Sequence, residues 1–146
     1  MKKLLLTCSL AFFCLTLAAQ TTRTKETQRD RYGHVTGTTE TVTRSDGTQK
    51  TTYRDRYGHV TGTSETKPRS NGSSTTTYRD RYGHTTGSAT TDAPRGSGST
   101  TTTRTTYRDR YGHTTGTSTT DTRSNGTQKT TYRDRYGHTT GTSTSR

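Results

Sequence analysis

"TTYRDRYGHTTGTSTT", residues 105–120, decides the fold, because nearly the same words recur around Tyr32, Tyr57, Tyr82 and Tyr136. The central aspartates of the shared RDRYGH motif fall at Asp30, Asp55, Asp80, Asp109 and Asp134, at intervals of 25, 25, 29 and 25. A fixed period of this size marks a repeat architecture. Each period holds two reversal signals. In DRYG, as at Asp55 to Gly58, the aspartate can bond forward to the backbone and the glycine supplies the positive φ that closes a type I turn with a bulge. The second signal is SDG at 45–47 and SNG at 70–72 and 124–126, the pairs favoured in two-residue hairpins.

Between the turns lie threonine-dense segments such as TQKTTYR at 48–54, HVTGTSETKPR at 59–69 and SSTTTYR at 73–79. Branched threonine and aromatic tyrosine favour pleated strands, and no segment after residue 20 has helical apolar spacing. The expected fold is all-β: a single-layer antiparallel meander of five repeats of about 25 residues. Turn geometry predicts Tyr78 opposite Glu65 across Asn71-Gly72, and opposite Thr85 across the DRYG turn at 80–83. Two alternatives stay open. A β-solenoid would need an inward stripe of apolar or small residues, and a largely disordered chain matches the Thr, Ser, Gly and Arg composition.

The long interval contains DAPRGSGSTTTTRTTY, where the later copy reads DTRSNGTQKTTY, so four extra residues are expected in a loop at about 92–104. The repeat region is 20–146. Before it, MKKLLLTCSLAFFCLTLAAQ pairs two lysines with an apolar run from Leu4 to Leu17 and ends in Ala18 and Ala19, the layout of a signal peptide over 1–19. The run is shorter than the roughly 20 residues of a spanning helix. Cys8 and Cys14 would leave with it, and no cysteine follows. The expected location is therefore secreted, periplasmic or cell-surface.

From Gln20 onward there is no Leu, Ile, Met, Phe or Trp; Val35, Val42, Val60, Ala89 and Ala93 are the aliphatics, beside nine tyrosines. A conventional globular core is excluded. Catalysis needs a water-poor pocket, which such a chain has little to build from, so the expectation is a non-enzymatic protein without cofactors. Asp55 with His59, and its four equivalents, would offer a divalent metal only two ligands, and no metal site is expected. Asn71 and Asn125 match the N-glycosylation pattern, although the turn explains them without a sugar.

The formal charge is +12, and +10 once Lys2 and Lys3 are set aside. An exposed basic polymer is drawn to polyanions, such as acidic polysaccharide or nucleic acid. The candidate contacts are the YRDRY words: Arg29, Arg31 and Tyr32; Arg54, Arg56 and Tyr57; Arg79, Arg81 and Tyr82; Arg108, Arg110 and Tyr111; Arg133, Arg135 and Tyr136. Each copy combines guanidinium donors with a stacking face, and equivalent residues two strands apart would recur at about 10 Å. The structural alternative is that Asp55 neutralises its arginines while the tyrosines cover neighbouring strands.

The pattern Y-x-D-x-x-G-x-x-x-G, as in Tyr53, Asp55, Gly58 and Gly62, resembles the tyrosine-aspartate-glycine hairpin repeats of bacterial secreted and surface proteins, including the YD repeats of Rhs-type shells. The resemblance spans the repeat region on about four positions per copy. It implies a secreted bacterial β-repeat and carries over no catalytic role. The chain departs from those repeats in lacking apolar strand residues and in placing histidine where arginine is frequent. Copy one also departs, with Gln28 in place of the first tyrosine. The expected function is structural or adhesive, with contact to acidic polymers; the alternative is a passive spacer or fibre former. The end segments TTRTKETQ and GTSTSR discourage pairing between chains, without forbidding self-association through sheet edges.

Overall fold

A computed structural model describes residues 21–146; the expected signal segment, 1–19, lies outside the described residues. The strands are β1 (Thr22–Arg29), β2 (Val35–Thr43), β3 (Gln49–Asp55), β4 (Val60–Pro68), β5 (Ser74–Asp80), β6 (Thr85–Thr91), β7 (Arg95–Ser97), β8 (Thr100–Asp109), β9 (Thr114–Arg123), β10 (Gln128–Asp134) and β11 (Thr139–Ser145). They form one open antiparallel sheet in chain order, except that the short β7 pairs only with β8. The architecture is the meander, not the coil of a solenoid.

Both reversals are three-residue loops closed by glycine. Asp55 N–H donates to His59 O at 3.0 Å and Gly58 N–H to Asp55 O at 3.1 Å. Arg69 N–H donates to Ser73 O at 2.8 Å and Gly72 N–H to Arg69 O at 3.0 Å, so the Asn-Gly hairpin is not the expected two-residue type. The cause is the asparagine side chain, whose Oδ1 accepts the Ser73 N–H at 3.0 Å and so centres the loop on Asn71. Tyr78 therefore faces Ser64 rather than Glu65. On its other side it faces Gly87 rather than Thr85. A second bulge, at Thr86, lies between Thr85 and Gly87 and shifts the register.

That bulge recurs in every copy and sets the packing. It brings Tyr53 opposite Gly62, Tyr107 opposite Gly116 and Tyr132 opposite Gly141, with Gln28 opposite Gly37 in copy one. Two residues beyond three of the four internal glycines sits a small residue facing the next repeat's tyrosine: Ser64 against Tyr78, Ala89 against Tyr107, Ser118 against Tyr132; after Gly37 the position is Thr39, against Tyr53. The three small residues are among the few buried side chains of the described residues, between 3% and 6% exposed. The rings thus alternate with small residues along one face, and Tyr53 and Tyr107 bond through their hydroxyls to Ser64 and Ser118 at 3.3 and 3.2 Å.

Junctions between repeats have their own fastening on the same face. Thr41 meets Thr51, Thr66 meets Thr76, Thr91 meets Thr105 and Thr120 meets Thr130, hydroxyl to hydroxyl at 2.8 to 3.0 Å. Close backbone approach does the rest: a Cβ on Gly62 would lie 2.8 Å from the Arg79 carbonyl oxygen, and one on Gly87 would lie 2.6 Å from that of Arg108.

The segment expected as a loop at 92–104 is mostly paired. Arg95–Ser97 runs against Thr100–Thr102, so the four extra residues lengthen a hairpin beyond the level of the Asn-Gly turns. Because β6 still pairs directly with β8, every DRYGH turn remains two strands from the next.

Gly87→Ala should lower stability by about 1–3 kcal/mol through overpacking against a carbonyl that cannot withdraw. Gly141→Ala, where an added Cβ meets nothing within 4 Å, should be neutral. Denaturant midpoints of the two variants, followed by circular dichroism, check the contrast.

Candidate functional site

All five DRYGH turns lie on one edge of the sheet, and each is built the same way. The aspartate is its centre. Asp55 Oδ1 accepts the N–H of Tyr57 at 2.8 Å and that of His59 at 2.9 Å, while Oδ2 lies 3.2 Å from His59 Nδ1. Asp30, Asp80, Asp109 and Asp134 repeat those contacts to within 0.1 Å. Partial desolvation at the turn pushes the Asp55 carboxyl up, and the backbone and ring hydrogen bonds from His59 and the N–H of Tyr57 outweigh it, so the net direction is down. The other four carboxyls are lowered for the same reasons.

The two arginines of each YRDRY word have different roles. The first closes the turn: Arg54 Nη1 donates to Gly58 O at 3.0 Å, and Arg29, Arg79 and Arg133 do the same in their copies. Arg108 departs, reaching Thr90 Oγ1 at 3.4 Å. The second lies over the next ring: Arg56 stands 4.6 Å above the centroid of Tyr57 and also donates to its hydroxyl. Arg31, Arg81, Arg110 and Arg135 stand at 4.6 to 4.7 Å over Tyr32, Tyr82, Tyr111 and Tyr136. Histidine completes the tip, with the Tyr57 and His59 ring centroids 6.3 Å apart.

These tips are open to solvent. Tyr32, Tyr57, Tyr82, Tyr111 and Tyr136 are 68% to 70% exposed, so either an extended ligand or water can reach ring and guanidinium together. In the four words with two tyrosines these separate: Tyr53, Tyr78, Tyr107 and Tyr132 lie along the face, while their partners stand at the tips. Among the described residues, the side chains within ion-pair distance of the turn aspartates are histidines, and no arginine is. The arginines are therefore not neutralised by the aspartate between them, which the sequence left open. Sequence reasoning missed this division of labour; the one available signal was that only the second arginine directly precedes a tyrosine.

At each tip one carboxylate and one imidazole converge, and among the described residues no group of three or more potential ligands could hold a metal ion. The opposite edge is chemically different. There Asp46, Asn71 and Asn125 accept the N–H of Thr48, Ser73 and Thr127 at 2.8 to 3.0 Å, so both sequon asparagines are turn residues. Among the described residues no helix is long and apolar enough to cross a membrane. No protein-family model, no curated protein and no solved structure matches the chain.

Because each carboxylate is favoured in its ionised form by the fold, its stabilising contribution is fully present above the ordinary carboxylate range of about 4 and is lost as pH falls through the lower, folded-state value. Stability should thus fall on acidification below the ordinary carboxylate range, with five turns loosening in one window. Replacing all five aspartates by asparagine, which retains one acceptor oxygen, should remove most of that fall; denaturant midpoints measured against pH decide it.

Proposed function

We propose that the chain is a secreted, non-enzymatic β-repeat protein of structural or adhesive type that holds extended acidic polymers along its edge of arginine-tyrosine tips. One observation carries this reading: five exposed guanidinium-over-ring tips, unpaired with acid, stand on one edge at a constant two-strand step. At about 4.8 Å per strand the step is roughly 10 Å, a repeat that several charges of an extended acidic polymer can meet in turn. Each tip is a weak contact, and a polymer touching several gains by avidity. The preserved step across the 29-residue interval favours the same reading, since the extra residues pair at the far end of the strands and leave successive tips two strands apart.

The ligand-facing set is the second arginine and its ring: Arg31, Arg56, Arg81, Arg110 and Arg135 with their tyrosines. The first arginines are turn-closing residues that add charge nearby. The YD-type resemblance agrees with a bacterial surface role and supplies no ligand.

For single-stranded nucleic acid long enough to reach all five tips, the logarithm of affinity should fall against the logarithm of salt with a slope of about −3.5 or steeper, at about −0.7 per contacted phosphate. Between about 50 and 500 mM salt that is a loss of three orders of magnitude or more. Changing the five tip arginines to glutamine should remove most of the binding and flatten the slope while leaving the strand signal in circular dichroism. Equal retention across the salt range would sink polyanion contact, and full binding by the glutamine variant would sink the assignment to the tips.

A further inference from the structure

The four internal junctions have a common stereochemistry. On the leading strand of each, a glycine approaches so closely that an added Cβ would lie 2.6 to 2.8 Å from a carbonyl oxygen of the following strand: Gly37 at Arg54, Gly62 at Arg79, Gly87 at Arg108 and Gly116 at Arg133. In every case the carbonyl belongs to the arginine just before the turn aspartate. The glycine itself stands opposite that aspartate, as Gly62 does Asp80. Gly141 in β11 is the fifth glycine of this series, and an added Cβ there meets nothing within 4 Å. Among the described residues its socket lacks an occupant. At the other end, β1 ends in Arg29 followed by Asp30, the same pair that fills the socket at each internal junction.

Among the described residues, β1 and β11 each have one sheet neighbour. The strand TTGTSTS of β11 carries no charge and no proline, two of the devices that blunt an exposed edge. We propose that β11 of one molecule receives β1 of a second copy in the register of the internal junctions, with Gly141 against Asp30, Ser143 against Gln28 and Ser145 against Glu26, extending the sheet head to tail.

The register follows from the internal pairs Gly62 with Asp80, Ser64 with Tyr78 and Thr66 with Thr76. Within β11, whose seven residues carry no charge, no like charges oppose each other; one step beyond it Arg146 would face Lys25. The small Ser143 takes the place of Ser64, and Gln28, which already donates to Thr39 Oγ1 at 3.1 Å, takes that of the tyrosine. The contact is heterologous: the donor surface and the acceptor surface are different strands, so addition does not close and produces a ribbon. In that ribbon the tip of copy one follows the tip at Asp134 after the same two strands, and the row of tips runs on from molecule to molecule.

Two measurements on the purified protein test this. Sedimentation and electron microscopy should show concentration-dependent growth into ribbons, and Gly141→Ala, with an unchanged monomer spectrum, should weaken elongation about tenfold or more by placing a methyl group in the socket. A register test stands apart from that variant. Mixing Ser143→Cys with Gln28→Cys and oxidising should give a disulfide between these two positions by peptide mapping, whereas Thr142→Cys, on the opposite face, should give none with Gln28→Cys. A wild-type protein that stays monomeric up to about 1 mM overturns the proposal, as does Gly141→Ala elongating like wild type, or equal cross-linking from position 142.

Discussion

The structure depends on one carboxylate per repeat bonded to the backbone it reverses. Asp55 takes the N–H groups of Tyr57 and His59 on one oxygen and the His59 ring on the other. These bonds set the loop at three residues, and loop length sets register. In a chain where threonine follows threonine, the side chains alone would distinguish poorly between one register and the next. The turn makes that choice, and the bulge after it delivers glycine to tyrosine.

What replaces a core is a line of contacts spread along the sheet. Rings of Tyr53, Tyr78, Tyr107 and Tyr132 alternate with Ser64, Ala89 and Ser118, and threonine hydroxyls join neighbouring repeats. Each such cross-strand pair contributes roughly 0.2–1 kcal/mol, so no single one holds the sheet. Stability is therefore shared between adjacent repeats, as in other quasi-one-dimensional folds. Copy one has Gln28 in place of the first tyrosine, and Gly141 meets no following strand among the described residues.

The same economy separates structure from surface chemistry within a five-residue word. In YRDRY at 53–57, Tyr53 lies on the sheet, Arg54 closes the turn, Asp55 organises it, and Arg56 with Tyr57 projects as a stacked pair. Aspartate is saturated by the turn and by histidine. The guanidinium charges at the tips are thereby left to whatever lies outside, and the proposed contact with acidic polymers follows from that residue.

Much of this was legible beforehand, because turns are local. The DRYG motif, the Asn-Gly motif and threonine density determined an all-β meander, since side-chain-to-backbone bonds and β-branching act within a few residues. Partners across strands were not legible. Tyr78 faces Ser64 and Gly87, not Glu65 and Thr85, because Asn71 centres a three-residue loop where the Asn-Gly pair alone suggests two, and because the bulge at Thr86 forms only when two strands meet. Likewise the segment at 92–104 reads as a loop by composition and pairs because β9 lies beside β8 to support its extension. By itself the sequence determined where the chain turns and that it has no greasy interior. Tertiary structure alone decided which arginine is occupied and which is presented, because that depends on what a side chain reaches once the strands are side by side.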